Sequence, residues 1–234
     1  MPKITLNKKD TLKLIGKAIS DKQLSGAIPL IGTDLEKITK NEIEVEIFPN
    51  RPDMLSEEGF ARALSSFLGI KTGLKAYKVN KSNYKYKVDS KVKRIRPYCT
   101  AAIVKGLKFD KVSLAAIMNL QDKLHTTHGR NRKKVAMGVH DLSKIKFPLT
   151  YTTKPKSFKF RALEDKQEKT IQKILEEHPK GKDYAHLLNK SEVPIWMDAN
   201  NQVLSMPPII NSEETKVTLN TKEVFLDITG TDPI

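Results

Sequence analysis

Residues 42–48 (EIEVEIF) alternate acidic and apolar side chains up to Ile47. A period of two residues places Ile43, Val45 and Ile47 on one face of an extended chain, so this segment predicts a half-buried β-strand. Apolar residues at helical spacing lie before and after it, and they predict helices over 8–16, 21–28 and 56–69. A strand enclosed between helices restricts this part of the chain to a compact α+β unit.

The later part of the chain also mixes the two periods. Its patterns predict helices over 113–125, 170–177 and 183–188, and strands over 98–106, 135–140, 193–198, 203–206, 216–219 and 224–230. Residues 199–202 contain two asparagines between two strand patterns, which is typical of a β-hairpin. We therefore predict an α+β fold, with a small N-terminal α/β module followed by a mixed-sheet domain with helices.

Positive charge is concentrated in the middle of the chain. The 234 residues include 42 Lys+Arg and 27 Asp+Glu, a net charge of +15. Residues 71–160 hold 23 basic and 4 acidic side chains, whereas 1–70 hold 10 of each and 161–234 hold 9 and 13. One cationic region on an otherwise ordinary globular body indicates a nucleic-acid partner, and the remaining parts need a different role.

Several classes of protein are excluded by the sequence. No apolar run approaches the ~20 residues of a membrane span, and the N-terminus lacks the hydrophobic region of a signal peptide. The single Cys99 excludes an internal disulfide and a Cys-rich zinc site. The chain also lacks a phosphate-binding glycine-rich loop, a Gly-x-Ser-x-Gly elbow and a His-Glu-x-x-His motif. We expect a cytoplasmic location, no bound metal, and histidines that are solvated or hydrogen-bonded.

A cationic loop follows the helix predicted over 113–125. Its four cations are Arg130, Arg132, Lys133 and Lys134. Such a loop is suited to a phosphate backbone, and arginine also binds planar carboxylates or stacks on bases. A solvated cationic turn explains the spacing equally well, so both interpretations stay open at this point.

Two segments near the end of the chain are suited to a small ligand. Residues 205–211 (SMPPIIN) combine an apolar wall of prolines and isoleucines with Ser205 and Asn211 at its ends, which fits an aromatic molecule with one polar end. In 227–232 (DITGTD), Asp227, Thr229 and Thr231 share one face of an extended strand. The alternatives are a bulge at a sheet edge for the first segment and a solvated strand face for the second.

Five blocks of the sequence resemble the β-subunit of phenylalanyl-tRNA synthetases of the archaeal and eukaryotic type. They are 44–56 (EVEIFPNRPDMLS), 128–142 (HGRNRKKVAMGVHDL), 176–185 (EEHPKGKDYA), 206–212 (MPPIINS) and 227–232 (DITGTD). The blocks keep their order along the whole chain. That family's β-subunit is much longer, so the chain resembles its N-terminal part, and we expect the gene to continue past Ile234.

The resemblance implies two domains and a reaction. The domains are a B1-like module over 1–85 and a B3/B4-type tRNA editing domain over 86–234. In this family the editing domain hydrolyses tyrosine wrongly esterified to phenylalanine tRNA. An apolar pocket rejects an added hydroxyl weakly, whereas a site that hydrogen-bonds the hydroxyl rejects the analogue lacking it by roughly 10⁴–10⁵.

The resemblance also implies roles for individual residues. The catalytic candidates are Asn211, which would orient a water, and Thr229. The substrate-binding candidates are Ser205, Asp227, Pro208 and Trp196, the last in a position where an aliphatic residue is expected. The tRNA-binding candidates are Arg130, Arg132, Lys133, Lys134 and His125. Because the aminoacyl ester is already activated, an aligned water suffices and no Ser-His-Asp arrangement is needed.

The implied partners are tRNA(Phe) and the synthetase α-subunit, in a heterotetramer of two α- and two β-subunits, with no membrane. Editing needs no cofactor, and ATP and Mg belong to the full synthetase. This chain has no motif for ATP binding, so we expect no aminoacylation by it alone. Two alternatives are a non-catalytic tRNA-binding or subunit-assembly module and a free-standing trans-editing deacylase.

Overall fold

The computed structural model describes residues 2–233, which form two compact units. Unit 1 comprises residues 2–80 with Ala116–His128, and unit 2 comprises Lys81–Ala115 with residues 129–233. The mixture of helices and several sheets confirms the predicted α+β class. Within residues 2–233, no helix combines the length and the apolar character needed to cross a membrane.

Unit 1 is built around a three-stranded antiparallel sheet. Its elements are β1 (Lys3–Asn7), α1 (Lys8–Ile15), α2 (Asp21–Ala27), β2 (Thr33–Ile38), β3 (Glu42–Ile47) and α3 (Glu57–Phe67). The alternating strand β3 lies in the centre, between β1 and β2. Its residues Ile43, Val45 and Ile47 are fully buried, as their spacing predicts. The two edge strands were not predicted, because their burial pattern is short or irregular.

The helices of unit 1 begin and end where the sequence predicts. The side chains of Asn7, Ser20 and Ser56 accept hydrogen bonds from backbone N–H groups in the first turns of α1, α2 and α3. Gly16 ends α1 in the left-handed conformation that glycine adopts without strain. These capping interactions satisfy backbone donors that a helix leaves unpaired at its start.

Unit 2 consists of layered sheets and helices. Its elements are β4 (Tyr86–Val88), β5 (Tyr98–Val104), the start of α4 (Lys111–Thr126), β6 (Val135–Asp141), β7 (Leu149–Pro155), β8 (Lys159–Phe160), β9 (Lys169–Thr170), α5 (Ile171–Glu177), α6 (Pro179–Tyr184), β10 (Glu192–Met197), β11 (Val203–Met206), β12 (Ile210–Asn211) and β13 (Val224–Gly230). One sheet has the order β12-β11-β10-β7-β4 and another has the order β5-β13-β6.

The five-stranded sheet of unit 2 has an apolar cluster on each face. On one face, Val193 and Ile195 of β10 belong to a cluster with Ile171 and Ile174 of α5. On the other face, residues of β7, β10 and β11 cluster with Phe225 of the three-stranded sheet. The region between the two sheets is therefore a buried layer, and strand β13 contributes to it.

Three predictions for unit 2 are wrong. The apolar and β-branched residues of 98–106 predict a buried strand, but β5 is an edge strand with alternate side chains exposed. Residues 216–219 form no strand, since they connect a short 3-10 helix to β13. The helix expected over 183–188 begins at Pro179, with His178 as its capping residue. The internal strand β7 was not predicted, whereas the hairpin β10–β11 and strand β13 were.

Candidate functional site

A buried carboxylate, Asp227, lies in the middle of β13 and faces the five-stranded sheet. Its Oδ2 accepts a hydrogen bond from Ser205 Oγ on β11 at 2.9 Å and lies 2.8 Å from His140 Nε2 on β6. All three residues are at most 2% exposed. We call Ser205, His140 and Asp227 the polar centre. It joins three strands that are far apart in the sequence.

A β-bulge directs Ser205 towards the three-stranded sheet. Trp196 of β10 pairs with Ser205, whereas the next residue, Met197, pairs with Val203, so Leu204 is an extra residue in β11. A bulge re-aims the side chains next to it. The extra residue in β11 explains why Leu204 packs into the layer between the sheets and Ser205 reaches Asp227.

Small residues flank the carboxylate of Asp227 on both sides. Its cross-strand neighbours are Ala101 on β5 and Gly138 on β6. A Cβ on Gly138 would lie 2.5 Å from Asp227 Oδ2 and 2.6 Å from His140 Nε2. The same position is 3.1 Å from Oδ1 of Asn211. The absence of a side chain at Gly138 therefore lets polar atoms of three side chains lie close to the backbone of β6.

The polar centre does not have the arrangement of a hydrolytic Ser-His-Asp triad. In such a triad the histidine lies between the serine and the carboxylate and removes the serine proton. Here the carboxylate of Asp227 lies between Ser205 and His140, which share its Oδ2. The other ring nitrogen of His140, Nδ1, lies 2.8 Å from Thr215 Oγ1. This geometry is suited to binding and orienting a ligand rather than to nucleophilic attack by serine.

His140 is a site residue that the sequence analysis missed. All histidines were expected to be solvated or hydrogen-bonded, and His140 is indeed hydrogen-bonded, but it is fully buried beside Asp227. A signal was present in the sequence: a histidine and Gly138 share one face of an otherwise apolar strand. A glycine inside a strand often marks a close approach of another group.

The two predicted catalytic residues both adjoin the polar centre. Asn211 is half-buried, and its Nδ2 donates to the carbonyl of Val139 at 3.3 Å, which leaves its Oδ1 for a ligand. Thr229 is buried two residues beyond Asp227 on the same strand. The Thr229 Oγ1 accepts a hydrogen bond from Nε of Arg96 at 2.8 Å. Thr229 therefore anchors an arginine, and its hydroxyl hydrogen stays available as a donor.

Arg96 is a buried cation that connects β13 to the cationic loop 129–134. Its Nη2 donates to the carbonyls of Thr229 at 2.8 Å and Arg132 at 3.2 Å, and its Nη1 donates to that of Lys133 at 3.2 Å. Burial lowers the pKa of the guanidinium to about 10. Backbone carbonyls and a hydroxyl, rather than a carboxylate, thus satisfy this side chain within residues 2–233.

Trp196, predicted to bind substrate, is fully buried in an aromatic cluster that we define as Tyr151, Trp196 and Phe225. The indole stacks on Tyr151 at 4.9 Å between ring centroids and meets the edge of Phe225 at 6.0 Å. Its Nε1 has no hydrogen-bond partner among the residues that the structure describes. This placement contradicts a direct substrate contact, because neighbouring rings cover the indole. The side chain instead forms the dry wall next to its strand neighbour Ser205.

Arg132, predicted to bind tRNA, is used inside the protein. It is 7% exposed, and its Nη1 donates to the carbonyl of Ile209 at 2.7 Å and to that of Pro208 at 3.4 Å. Its guanidinium also lies 4.4 Å from the ring centroid of Tyr184. The prediction of a phosphate contact by Arg132 is therefore wrong. The residue holds Pro208, itself buried, in the turn between β11 and β12.

The remaining cations of the loop differ in their surroundings. Arg130, Asn131 and Arg132 have φ angles of 49°, 53° and 65°, a run of left-handed conformations that is uncommon for residues other than glycine. The side chains of Arg130 and Lys133 are exposed. Lys134 is half-buried and forms an ion pair at 3.4 Å with a carboxylate just after β13. Arg130 and Lys133 are thus the loop cations best placed for a ligand from solution.

His125, the last predicted tRNA-binding residue, lies in the part of α4 that belongs to unit 1. It is 3% exposed, on a helix whose Leu120 and Leu124 pack against the core of that unit. Contact with RNA is contradicted by this burial. Among residues 2–233, no group of three or more His, Cys, Asp or Glu side chains is arranged to hold a metal.

A cavity of about 560 Å³ opens next to the loop, entirely within unit 2. Its walls include Arg96, Arg130, Lys133, His186, Leu188 and Pro208. We call it the loop cavity. Two of its lining residues connect to the predicted catalytic residues, because Arg96 binds Thr229 and Pro208 lies three residues before Asn211.

A family model described as the B3/4 domain matches residues 81–234. The phenylalanine–tRNA ligase β-subunit of Archaeoglobus fulgidus is 45% identical over 233 residues, which are 99% of this chain and 42% of that protein. The corresponding subunit of Methanosarcina barkeri is 44% identical over 98% of this chain and 42% of its own length.

A solved structure matches equally well. The N-terminal fragment of the phenylalanyl-tRNA synthetase β-subunit from Pyrococcus horikoshii has a TM-score of 0.93 and 42% identity, over 99% of this chain and 69% of that one. The chain spans less than half the length of the curated relatives named above. Matches of this extent in both sequence and fold assign the chain to one family. The chain belongs to the phenylalanyl-tRNA synthetase β-subunit family and contains its B3/4 domain.

Proposed function

We propose that this chain hydrolyses the ester of tyrosine mischarged onto tRNA(Phe), as the editing part of a phenylalanine–tRNA ligase. One observation carries the proposal: polar atoms of Asp227, His140 and Asn211 converge beside Gly138, where an added Cβ would come within 3.1 Å of all three. An apolar layer with a few converging polar groups is the usual composition of a small-molecule site. The relatives named above are subunits of a phenylalanine–tRNA ligase, which supports this choice of substrate.

The carboxylate of Asp227 is suited to recognising the phenol of tyrosine. Ser205 and His140 both bind Oδ2 of Asp227. A carboxylate oxygen accepts a hydrogen bond from a phenol but gains nothing from the unsubstituted ring of phenylalanine. The carboxylate therefore favours the tyrosyl ester, so the selectivity has the sign that editing requires.

Asn211 is suited to orienting the attacking water. Its Nδ2 is anchored on the carbonyl of Val139, so its Oδ1 is held close to Gly138, on the side where the carboxylate of Asp227 lies. A water that donates to Oδ1 presents a lone pair to the ester carbonyl, and the activated ester needs no protein nucleophile. Thr229, anchored by Arg96, is the second polar group near the reacting ester. No cofactor takes part in this reaction.

The acceptor end of the tRNA would approach from the loop side. Arg130 and Lys133 are the exposed cations there, and phosphate contacts by such side chains position an RNA. In the complete enzyme we expect the α-subunit to supply the aminoacylation site, with ATP and Mg. The chain described here performs the hydrolytic step.

Deacylation of Tyr-tRNA(Phe) and Phe-tRNA(Phe), measured side by side with this chain, tests the proposal. We expect tyrosine to be released and phenylalanine to be retained. Equal loss of both amino acids contradicts editing specificity. Equal inertness, together with tRNA binding in a filter assay, points to the non-catalytic binding module instead.

The water-orienting role of Asn211 has its own test. Asn211→Ala should lower the single-turnover rate of Tyr-tRNA deacylation by ~100-fold or more, since it removes a preorganised polar group at the reacting centre. Asn220→Ala, at an exposed position of the same unit, is the matched control and should keep the wild-type rate. Wild-type deacylation by the Asn211 variant would show that another group orients the water.

A further inference from the structure

The loop cavity has the size and composition of a ligand site. Its volume of about 560 Å³ lies within the ~300–1,000 Å³ typical of small-molecule pockets. One part of its wall is apolar, from Ile95, Leu187, Leu188 and Pro208. The amide side chains of Asn131 and Asn189 also belong to the lining. The cavity thus combines surface for a ring system with hydrogen-bonding groups.

The charge of the loop cavity is one-sided. Arg96, Arg130 and Lys133 line it, and no Asp or Glu does so. In the described part of the chain none of these three cations forms an ion pair with a carboxylate, unlike Lys134, which pairs with Asp232 at 3.4 Å. An uncompensated group of cations around a concave surface attracts an anion. The ligand is therefore expected to carry negative charge.

The positive charge of the loop cavity includes a buried side chain, that of Arg96. It is 3% exposed, and four of its five N–H groups donate to protein oxygens: one on Nε, one on Nη1 and two on Nη2. Burial of this cation disfavours the folded protein, and a bound anion offsets that penalty. Its hydrogen bond to the carbonyl of Lys133 also fixes the backbone there. The exposed cation of Lys133 is therefore held near the buried cation of Arg96.

We propose that the loop cavity binds a nucleotide unit, with its phosphate held by Arg130 and Lys133 near Arg96 and its nucleoside against the wall of Leu187, Leu188 and Pro208. Arginine and lysine bind phosphate through charge-assisted hydrogen bonds, and the apolar wall adds a contact that a bare anion lacks. The identity of the natural ligand rests on the proposed function. The bound unit is then the nucleotide that precedes the esterified adenosine of the tRNA.

The binding site is tested with cytidine monophosphate, cytidine and inorganic phosphate in separate NMR titrations of the ¹⁵N-labelled chain. We expect cytidine monophosphate to bind at least ~10-fold more tightly than either other probe, with shifts in residues 95–96, 130–133 and 186–189. Equal affinity for phosphate identifies a simple anion site and overturns the proposal. Equal affinity for cytidine, shifts elsewhere, or no binding by any probe overturn it too.

Charge removal at the rim provides the matched variants. The double variant Arg130→Gln with Lys133→Gln should weaken binding of cytidine monophosphate by at least ~10-fold. The control, Lys93→Gln with Lys108→Gln, removes two exposed cations of the same unit outside the cavity lining and should leave the affinity unchanged. Unchanged thermal unfolding midpoints confirm that both variants fold. Equal weakening by both pairs means a diffuse charge effect and refutes a defined site.

Failure of this proposal and failure of the proposed function give different results. Asn211→Ala should abolish deacylation and leave the titration with cytidine monophosphate unchanged, because Asn211 does not line the loop cavity. If Tyr-tRNA is deacylated while cytidine monophosphate does not bind, the nucleotide site is wrong and editing stands. If the nucleotide binds while no aminoacyl-tRNA is hydrolysed, the editing function is wrong and the nucleotide site stands.

Discussion

The polar centre and the aromatic cluster occupy the same buried layer of unit 2 and share strand β13. Phe225 belongs to the aromatic cluster, and Asp227, two residues later on the same face, belongs to the polar centre. Their cross-strand neighbours differ. Phe225 lies between Ile103 and His140, whereas Asp227 lies between Ala101 and Gly138.

One face of β13 thus supports both apolar packing and a polar site. Large neighbours fill the space around Phe225 and give a dry wall. Small neighbours let polar groups from β6 and β11 approach Asp227, and both of these groups bind its Oδ2. Substitutions in the aromatic cluster should therefore affect stability, whereas those in the polar centre should affect stability and hydrolysis together.

The largest effect on stability is expected in the aromatic cluster. Trp196→Ala should lower the free energy of unfolding by about 4 kcal/mol, because a fully buried ring is replaced by a cavity. Trp196→Phe keeps a ring and removes the indole N–H that lacks a partner, so its loss should be less than half as large. Urea denaturation measures both values. Equal losses in the two variants would contradict the packing role.

In the polar centre, Asp227→Ala should lower the free energy of unfolding by about 3 kcal/mol, because Ser205 and His140 lose their shared acceptor inside the protein. Deacylation of Tyr-tRNA should fall by ~100-fold or more. Asp227→Asn has nearly the same shape and should recover most of the stability but not the selectivity for tyrosine. Recovery of selectivity by Asp227→Asn would exclude the proposed phenol contact.

Gly138→Ala places a methyl group where polar side chains pack closely against β6. The new methyl would lie 2.5 Å from Asp227 Oδ2, so we expect a loss of about 2 kcal/mol in the free energy of unfolding and slower deacylation. Gly26→Ala is the matched control, because no atom lies within 4 Å of the added Cβ inside helix α2. It should be neutral or slightly stabilising. Similar destabilisation at both glycines would argue against closer packing at Gly138 than at Gly26.

The smallest effect concerns the thiol of Cys99, which is the strand partner of Thr229. Burial, with a contribution from Asp227, raises the pKa of Cys99 to about 11. The rate of alkylation by iodoacetamide should keep rising up to about pH 11 instead of levelling near 9. Asp227→Asn should move the midpoint downward. A midpoint near 9 in the wild type would contradict the raised pKa.

The same pKa shift predicts a small effect of pH on stability. The folded pKa of Cys99 is higher than the unfolded value of 9.0, so the folded state favours the protonated thiol. This contribution is fully present below about pH 9 and is lost as the pH rises towards 11. Denaturation at pH 8 and pH 11, with Cys99→Ser as the control, isolates the contribution.

Local pattern predicted much of this fold because strands and helices follow from spacing within a few residues. Strand β3, the hairpin β10–β11 and strand β13 each have a short pattern that tertiary contacts reinforce. Strand β7 was missed although it lies inside the largest sheet. Its pairing partners β4 and β10 are distant in the sequence, so no local turn signal marks it.

The family, the charge that indicates RNA, and the prediction of Ser205, Asn211 and Asp227 as site residues all come from the sequence. The structure brings Asp227 and Asn211 together beside Gly138, and Ser205 and His140 bind the carboxylate of Asp227. Tertiary contacts determine which cations of loop 129–134 are exposed to solvent. Arg132 and Lys133 are adjacent in the same loop, yet one is buried against the carbonyl of Ile209 and the other is exposed. The partner that buries Arg132 lies 77 residues away, and no local pattern encodes such a contact.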